Sequence, residues 1–179
     1  MRRFLLAVTT GIVAIMSVVT AGVSAPHAVA TDSPIGNLGD TLRVEFQDII
    51  ADVTVHNVLP SDVPPGWGWN GSTRWRAQGG PWRADVTIHA IKVPNPFKMA
   101  VAFTFDGVTP YDDAYVSKHT DDPTALDTVL LNAPQGSTVS GGVYWDVYRG
   151  LVTNVVLINP KSGEHLAQWN IWQPGDPLP

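Results

Sequence analysis

Between Tyr111 and Asp127 the chain gathers five aspartates and a histidine: Asp112, Asp113, Asp121, Asp122, Asp127 and His119. Carboxylates grouped in this way hold cations or, as a pair, hydrolyse glycosidic bonds. The Asp-x-Asp-x-Asp-Gly register of a calcium loop is missing, so the plainer reading is a solvated acidic connection. A near-repeat raises a second chemistry. ADVTVHN, Ala51–Asn57, returns as ADVTIHA, Ala84–Ala90. Side by side in register, the two segments would place Asp52, His56, Asp85 and His89 on one face, a donor set that zinc accepts. Positions i and i+4 of a strand stand roughly 13 Å apart, so any chelate would need cross-strand pairs. Two strands that each send valine inward and short polar residues outward explain the repeat without a metal, and none is expected. G-x-S-x-G, H-E-x-x-H, the P-loop and the dinucleotide glycine fingerprint are absent. No cofactor and no enzymatic activity are therefore expected.

A third group is aromatic. PPGWGWNGSTRWRAQGGPW, Pro64–Trp82, holds four of the seven tryptophans in a segment whose glycines and prolines mark it as loop. Trp67 and Trp69 flank Gly68, so an extended backbone would present both rings on one side. Arg74 and Arg76 flank Trp75 and can stack on rings. Trp and Arg are enriched at binding hot spots, and coplanar indoles suit sugar rings. Trp67, Trp69, Arg74, Trp75 and Arg76 are thus the candidate ligand contacts. The alternative is a lid that folds back over one end of the fold, because an indole buries ~150–250 Å².

Alternation dominates the remaining sequence. Leu42, Val44 and Phe46 alternate with Arg43, Glu45 and Gln47; Val53 and Val55 with Asp52, Thr54 and His56. Trp82, Ala84, Val86 and Ile88 form a third run, Met99, Val101, Phe103 and Phe105 a fourth. Val143, Trp145 and Val147, then His165, Ala167, Trp169 and Ile171, complete the set. Period two sends alternate side chains to a core and to water, which assigns Trp82, Trp145 and Trp169 to the core. Val152–Ile158 is more continuously apolar than the other runs and reads as a central strand, joined to the last strand by a hairpin across 160–163. The best helical turn lies within Asp122–Leu131. About seven strands predict an all-β domain of two packed antiparallel sheets.

Of the 179 residues, the first thirty read as a targeting segment: Arg2 and Arg3, an apolar run Phe4–Val23, and Ala28-Val29-Ala30 as a small-x-small cleavage site. A retained membrane anchor is the alternative reading of that run. The expected mature domain is residues 31–179, with no integral span. It has no cysteine, so it must rest on its apolar core. Loss of Arg2 and Arg3 moves the formal charge from −5 to −7, leaving nine basic against sixteen acidic residues. An acidic surface argues against nucleic acid and anionic lipid surfaces as partners.

Three ordered motifs carry a resemblance: PIGNLGDTL (Pro34–Leu42), PWRADVTIHAIK (Pro81–Lys92) and APQGSTVSGGVYWDV (Ala133–Val147), with a closing IWQP (Ile171–Pro174). Their order and spacing resemble the small secreted mycobacterial immunogenic antigen family, often called the immunoprotective extracellular protein. The resemblance spans essentially the whole mature chain. It implies an immunoglobulin-like β-sandwich, export and no established biochemical activity, and it transfers no site residue. The expectation is a secreted, extracellular, monomeric, non-enzymatic module that binds a host or cell-envelope protein or glycan, with wall association left open. The rival is a glycan-binding module or small hydrolase that uses the same rings with Asp112, Asp113 or Asp121. A structural envelope protein without a ligand is the third reading.

Overall fold

The computed structural model describes residues 33–62, 64–66 and 79–172. They form strands β1 (Ile35–Asn37), β2 (Thr41–Phe46), β3 (Ile49–Pro60), β4 (Gly80–Lys92), β5 (Thr104–Val108), β6 (Ala114–Tyr115), β7 (Thr138–Val147), β8 (Asn154–Ile158) and β9 (His165–Asn170). Two short helices, α1 (Pro96–Ala102) and α2 (Leu126–Leu130), lie on the connections. The strands make a five-stranded sheet in the order β1-β9-β8-β5-β6 and a four-stranded sheet in the order β2-β3-β4-β7.

Alternation does build the core. Ile49, Ala51, Val53 and Val55 of β3, and Ala84, Val86, Ile88 and Ala90 of β4, are buried. So are Phe105, Val155, Leu157, Ala167 and Trp169 of the five-stranded sheet. Trp145 and Trp169 are fully buried, and both indole N–H groups are satisfied: Trp145 Nε1 donates to the Phe105 carbonyl at 3.0 Å, Trp169 Nε1 to the Asp40 carbonyl at 3.0 Å. The first bond crosses from one sheet to the other. At ~150–250 Å² per indole and ~25 cal/mol per Å², each burial is worth about 4–6 kcal/mol. Trp82 is half-buried and stands opposite Trp145 across the β4–β7 ladder.

Four details depart from the expected layout. The described residues form nine strands rather than about seven; three-residue β1 and two-residue β6 are too short to show a period. One pairing is parallel: β1 lies beside β9, with Ile35 opposite Gln168, before the turn at Gly39 (φ 90°) carries the chain over to β2 in the other sheet. The expected strand through Met99, Val101 and Phe103 is helix α1 up to Ala102, and only Thr104–Val108 continues as strand. Its cause is local: Asn95 Oδ1 accepts the Lys98 N–H at 2.8 Å, and Pro96 opens the first turn. Finally, Tyr144 points away from the core yet is buried, because 118–125 runs along β7. Lys118 N–H donates to the Tyr144 carbonyl at 2.8 Å and Gly142 N–H to the Thr124 carbonyl at 2.9 Å. That segment shields part of an open sheet edge and leads into α2, which falls inside the predicted Asp122–Leu131 stretch.

Candidate functional site

At one end of the sandwich β3, β5 and β7 finish and β4, β6 and β8 begin. Their connections, 61–79, 109–113 and 148–153, are physically linked. Gly79 N–H donates to Asp146 Oδ1 at 3.2 Å, and its backbone lies so close to Val147 and Tyr148 that a Cβ would strike the Val147 carbonyl. The Tyr148 ring meets Tyr115 edge-on at 5.5 Å between centroids. Tyr115 Oη donates to the Gly150 carbonyl at 2.9 Å and accepts the Arg149 and Gly150 N–H groups at 2.9 and 3.0 Å. Gly150 lies near Thr109. Thr109 in turn closes the β5–β6 turn: its N–H donates to the Asp113 carbonyl at 3.0 Å.

This scaffold holds exposed apolar and aromatic side chains. Tyr111 is 85 % exposed, and Leu59, Tyr148 and Leu151 are also exposed. The Arg149 guanidinium stands 5.4 Å from the Tyr148 ring centroid. Tyr and Arg on rigidly held loops are the chemistry of protein recognition. Sequence reading passed over Tyr111, Tyr148, Arg149 and Leu151; the available signal was an aromatic beside the Arg149-Gly150 turn after a strand. Trp67, Trp69, Arg74, Trp75 and Arg76 lie outside the described residues. Both ends of their segment are anchored at this same end of the fold. Ser61 N–H donates to the Pro81 carbonyl at 2.9 Å, and Asp121 N–H to the Pro65 carbonyl at 2.8 Å. Gly66 is left-handed (φ 71°), and a side chain there would run into the Asp121 carboxylate.

The near-repeat strands do pair, but their polar residues do not converge. Asp52 is opposite His89, and a bulge at His56 shifts the register so that Asn57, not His56, faces Asp85. Arg43 grips Asp52 through Nε and Nη2 at 2.7 and 3.0 Å and holds its carboxyl below the usual range against a smaller opposing effect of burial. His56 Nε2 bonds Thr87 Oγ1 at 2.8 Å. Asn57 Nδ2 donates to Asp85 Oδ2 at 3.0 Å. Around these residues lies a shallow polar depression of about 420 Å³, lined by His56, Asn57, Arg83, Asp85, Thr87 and Ser140. An adjoining hollow of about 270 Å³ shares Asn57, Arg83 and Asp85 and reaches Leu59, Pro60 and Ser61 at the root of the Trp-rich segment.

The acidic stretch is similarly dispersed. Asp112 (φ 62°) and Asp113 form the β5–β6 turn. Asp121 packs at Gly66. Asp122 Oδ2 accepts from Tyr144 Oη at 2.7 Å, and its Oδ1 from Thr124 N–H and Oγ1, both at 2.8 Å. Burial pushes the Asp122 carboxyl up, but these bonds outweigh it and hold it low. Burial and Asp122 together push the Tyr144 phenol up to about 12. Asp127 pairs with His119 Nδ1. Among the described residues, no three His, Asp or Glu side chains come together as a metal site.

No family model and no curated protein matches the chain. Among solved structures, MPT63, a secreted protein from Mycobacterium tuberculosis, superimposes with a TM-score of 0.60 and 24 % identity over 79 % of this chain and 99 % of that one. The chain has the MPT63 fold. The resemblance drawn from Pro34–Leu42, Pro81–Lys92 and Ala133–Val147 is thereby matched by a solved mycobacterial structure; these motifs supply β1 with β2, β4 and β7. The yjhA protein from Bacillus subtilis aligns with a TM-score of 0.46 and 16 % identity over 72 % of this chain and 85 % of that one. Among the described residues, no helix is long and apolar enough to cross a membrane.

Proposed function

We propose that the chain is exported, loses residues 1–30, and acts outside the cell as a monomeric, non-catalytic recognition module for a host or cell-envelope protein. What supports this reading is the loop end: Tyr111, Tyr148, Arg149 and Leu151 are exposed on connections tied to one another and, through Gly79, to one root of the Trp-rich segment. Ordering such a surface costs little on binding, because the sandwich already fixes its loops. Export rests on the targeting pattern of residues 1–30 and on the fold shared with a secreted protein. The non-catalytic reading is supported by the dispersal of the acidic stretch, with Asp112 and Asp113 in the β5–β6 turn, Asp121 at Gly66 and Asp122 engaged by Tyr144 and Thr124.

Trp67, Trp69, Arg74, Trp75 and Arg76 complete the surface in this proposal. Surface proteins of a host cell or of the producing cell are to be captured on immobilised wild-type protein and on a Tyr111→Ala/Tyr148→Ala/Arg149→Ala variant. A partner held by the first and bound at least tenfold more weakly by the second supports the site. Equal binding to both rules it out. A second reading, glycan binding, is favoured by the polar depression that runs to Ser61. Glycan-array signal lost with Trp67→Ala/Trp69→Ala would establish that reading instead.

A further inference from the structure

On the flank of the sandwich, away from the loop end, α1 and α2 leave a cleft of about 320 Å³ between β5 and β7. One part of its lining is apolar, formed by Phe103, Leu126, Leu130 and Val143, and another part is polar, with Thr104, Ser117 and the mouth residues. The apolar surface continues outward. Phe97, Ala100 and Val101 share one face of α1 by their i, i+3, i+4 spacing; Ala100 lines the cleft, while Phe97 and Val101 are 64 % and 51 % exposed. Phe97 and Val101 thus extend the apolar surface of the cleft outward along α1.

The mouth is polar, and its free capacity is cationic. Lys118, His119 and Asp127 stand there. Both oxygens of Asp127 are occupied, Oδ2 by His119 Nδ1 and Oδ1 by the Thr128 N–H at 2.8 Å. Lys118 is exposed, and its ammonium forms no ion pair among the described residues. A ligand that buries an apolar tail against Leu126, Leu130 and Phe103 therefore brings its head to an available ammonium, beside a carboxylate whose two oxygens are already hydrogen-bonded. Pockets of this size take small molecules.

We infer that this cleft binds a single-chain amphiphile with an anionic head, the tail lying between α1 and α2 and the head at Lys118. The site is separate from the loop end, so it stands or falls independently of the recognition reading above.

Decanoate, decanol and decyltrimethylammonium, titrated below their micellar concentrations and followed by amide chemical shifts, test the inference. Decanoate is expected to saturate one site, with shifts at Lys118, Leu126, Leu130 and Val143. Decanol should bind at least tenfold more weakly and the cationic amphiphile more weakly still. Lys118→Glu, at an exposed position, is expected to keep the melting temperature and weaken decanoate at least tenfold; Ala100→Trp, which fills the cleft, should abolish binding. The inference is overturned by the absence of saturable one-to-one binding, by equal affinity for the anionic and cationic amphiphiles, or by decanoate binding that neither substitution affects.

Discussion

Asp106, on β5, is 7 % exposed, and its Oδ1 has no hydrogen-bond partner among the described residues. Burial raises its carboxyl pKa; the Ser117 backbone N–H opposes this only in part. The folded chain thus holds the proton more tightly than the unfolded chain. The charge destabilises the fold fully at pH above the raised value, and that cost disappears as pH falls through it toward the ordinary carboxylate range. Asp106→Asn is expected to stabilise the protein at pH 7 by about 1 kcal/mol and to have less effect at pH 4; thermal melts of both proteins at the two pH values check it, and a variant less stable at pH 7 contradicts it. Tyr144 behaves differently. Its phenol, raised to about 12, is neutral in both states below about pH 10, where its bonds to Asp122 and from Arg83 contribute fully. Between pH 10 and 12 the unfolded chain ionises first, so stability falls. Tyr144→Phe should cost about 1–2 kcal/mol at neutral pH and flatten that alkaline decline, as urea titrations at pH 7, 10 and 11 would report.

Helix α1 shows what alternation alone conceals. Met99, Val101, Phe103 and Phe105 satisfy period two, yet Asn95 and Pro96 set a cap and a first turn, and the helix then buries Met99 and Ala102. Seven helical residues cannot display enough of a 3.6-residue period to outweigh alternation, whereas the Asn-Pro pair was readable as a helix start. An ion pair from Lys98 to Asp48 pins the helix to the β2–β3 turn. Asn95→Ala should cost about 1 kcal/mol, seen as a lower urea midpoint with an unchanged slope. The long strands were legible because their apolar sides meet one core; β1 and β6 were not, being held by register with neighbours rather than by a pattern of their own. At the root of the Trp-rich segment, Gly66→Ala meets both a positive φ and the Asp121 carboxylate. It is expected to cost about 1–2 kcal/mol and to speed exchange of the Asp121 amide, which donates to Pro65. Unchanged exchange at Asp121 would show that this contact does not anchor the segment.

Across the described residues, the two facing sheets bury their inner faces and leave their ends and flanks as the surface on which the two proposed sites lie. The sandwich itself was legible, since alternation places Trp145 and Trp169 in the core and the structure buries both completely. The site was legible only in part. Sequence ranks residues by type, and so selected the tryptophans; the joining of 61–79, 109–113 and 148–153 at one end depends on Gly79 meeting Tyr148 and on Tyr115 meeting Gly150, each across more than thirty positions, which no local spacing reveals. The likeness to MPT63 concerns this architecture. The recognition role assigned to the loop end is best tested by hydrogen-exchange footprinting of the protein with a captured partner. The account predicts protection concentrated in 61–79, 109–113 and 148–153, with β2 and the outer faces of the sheets unchanged. Protection confined to those outer faces, with the three connections exchanging as in the free protein, would contradict it.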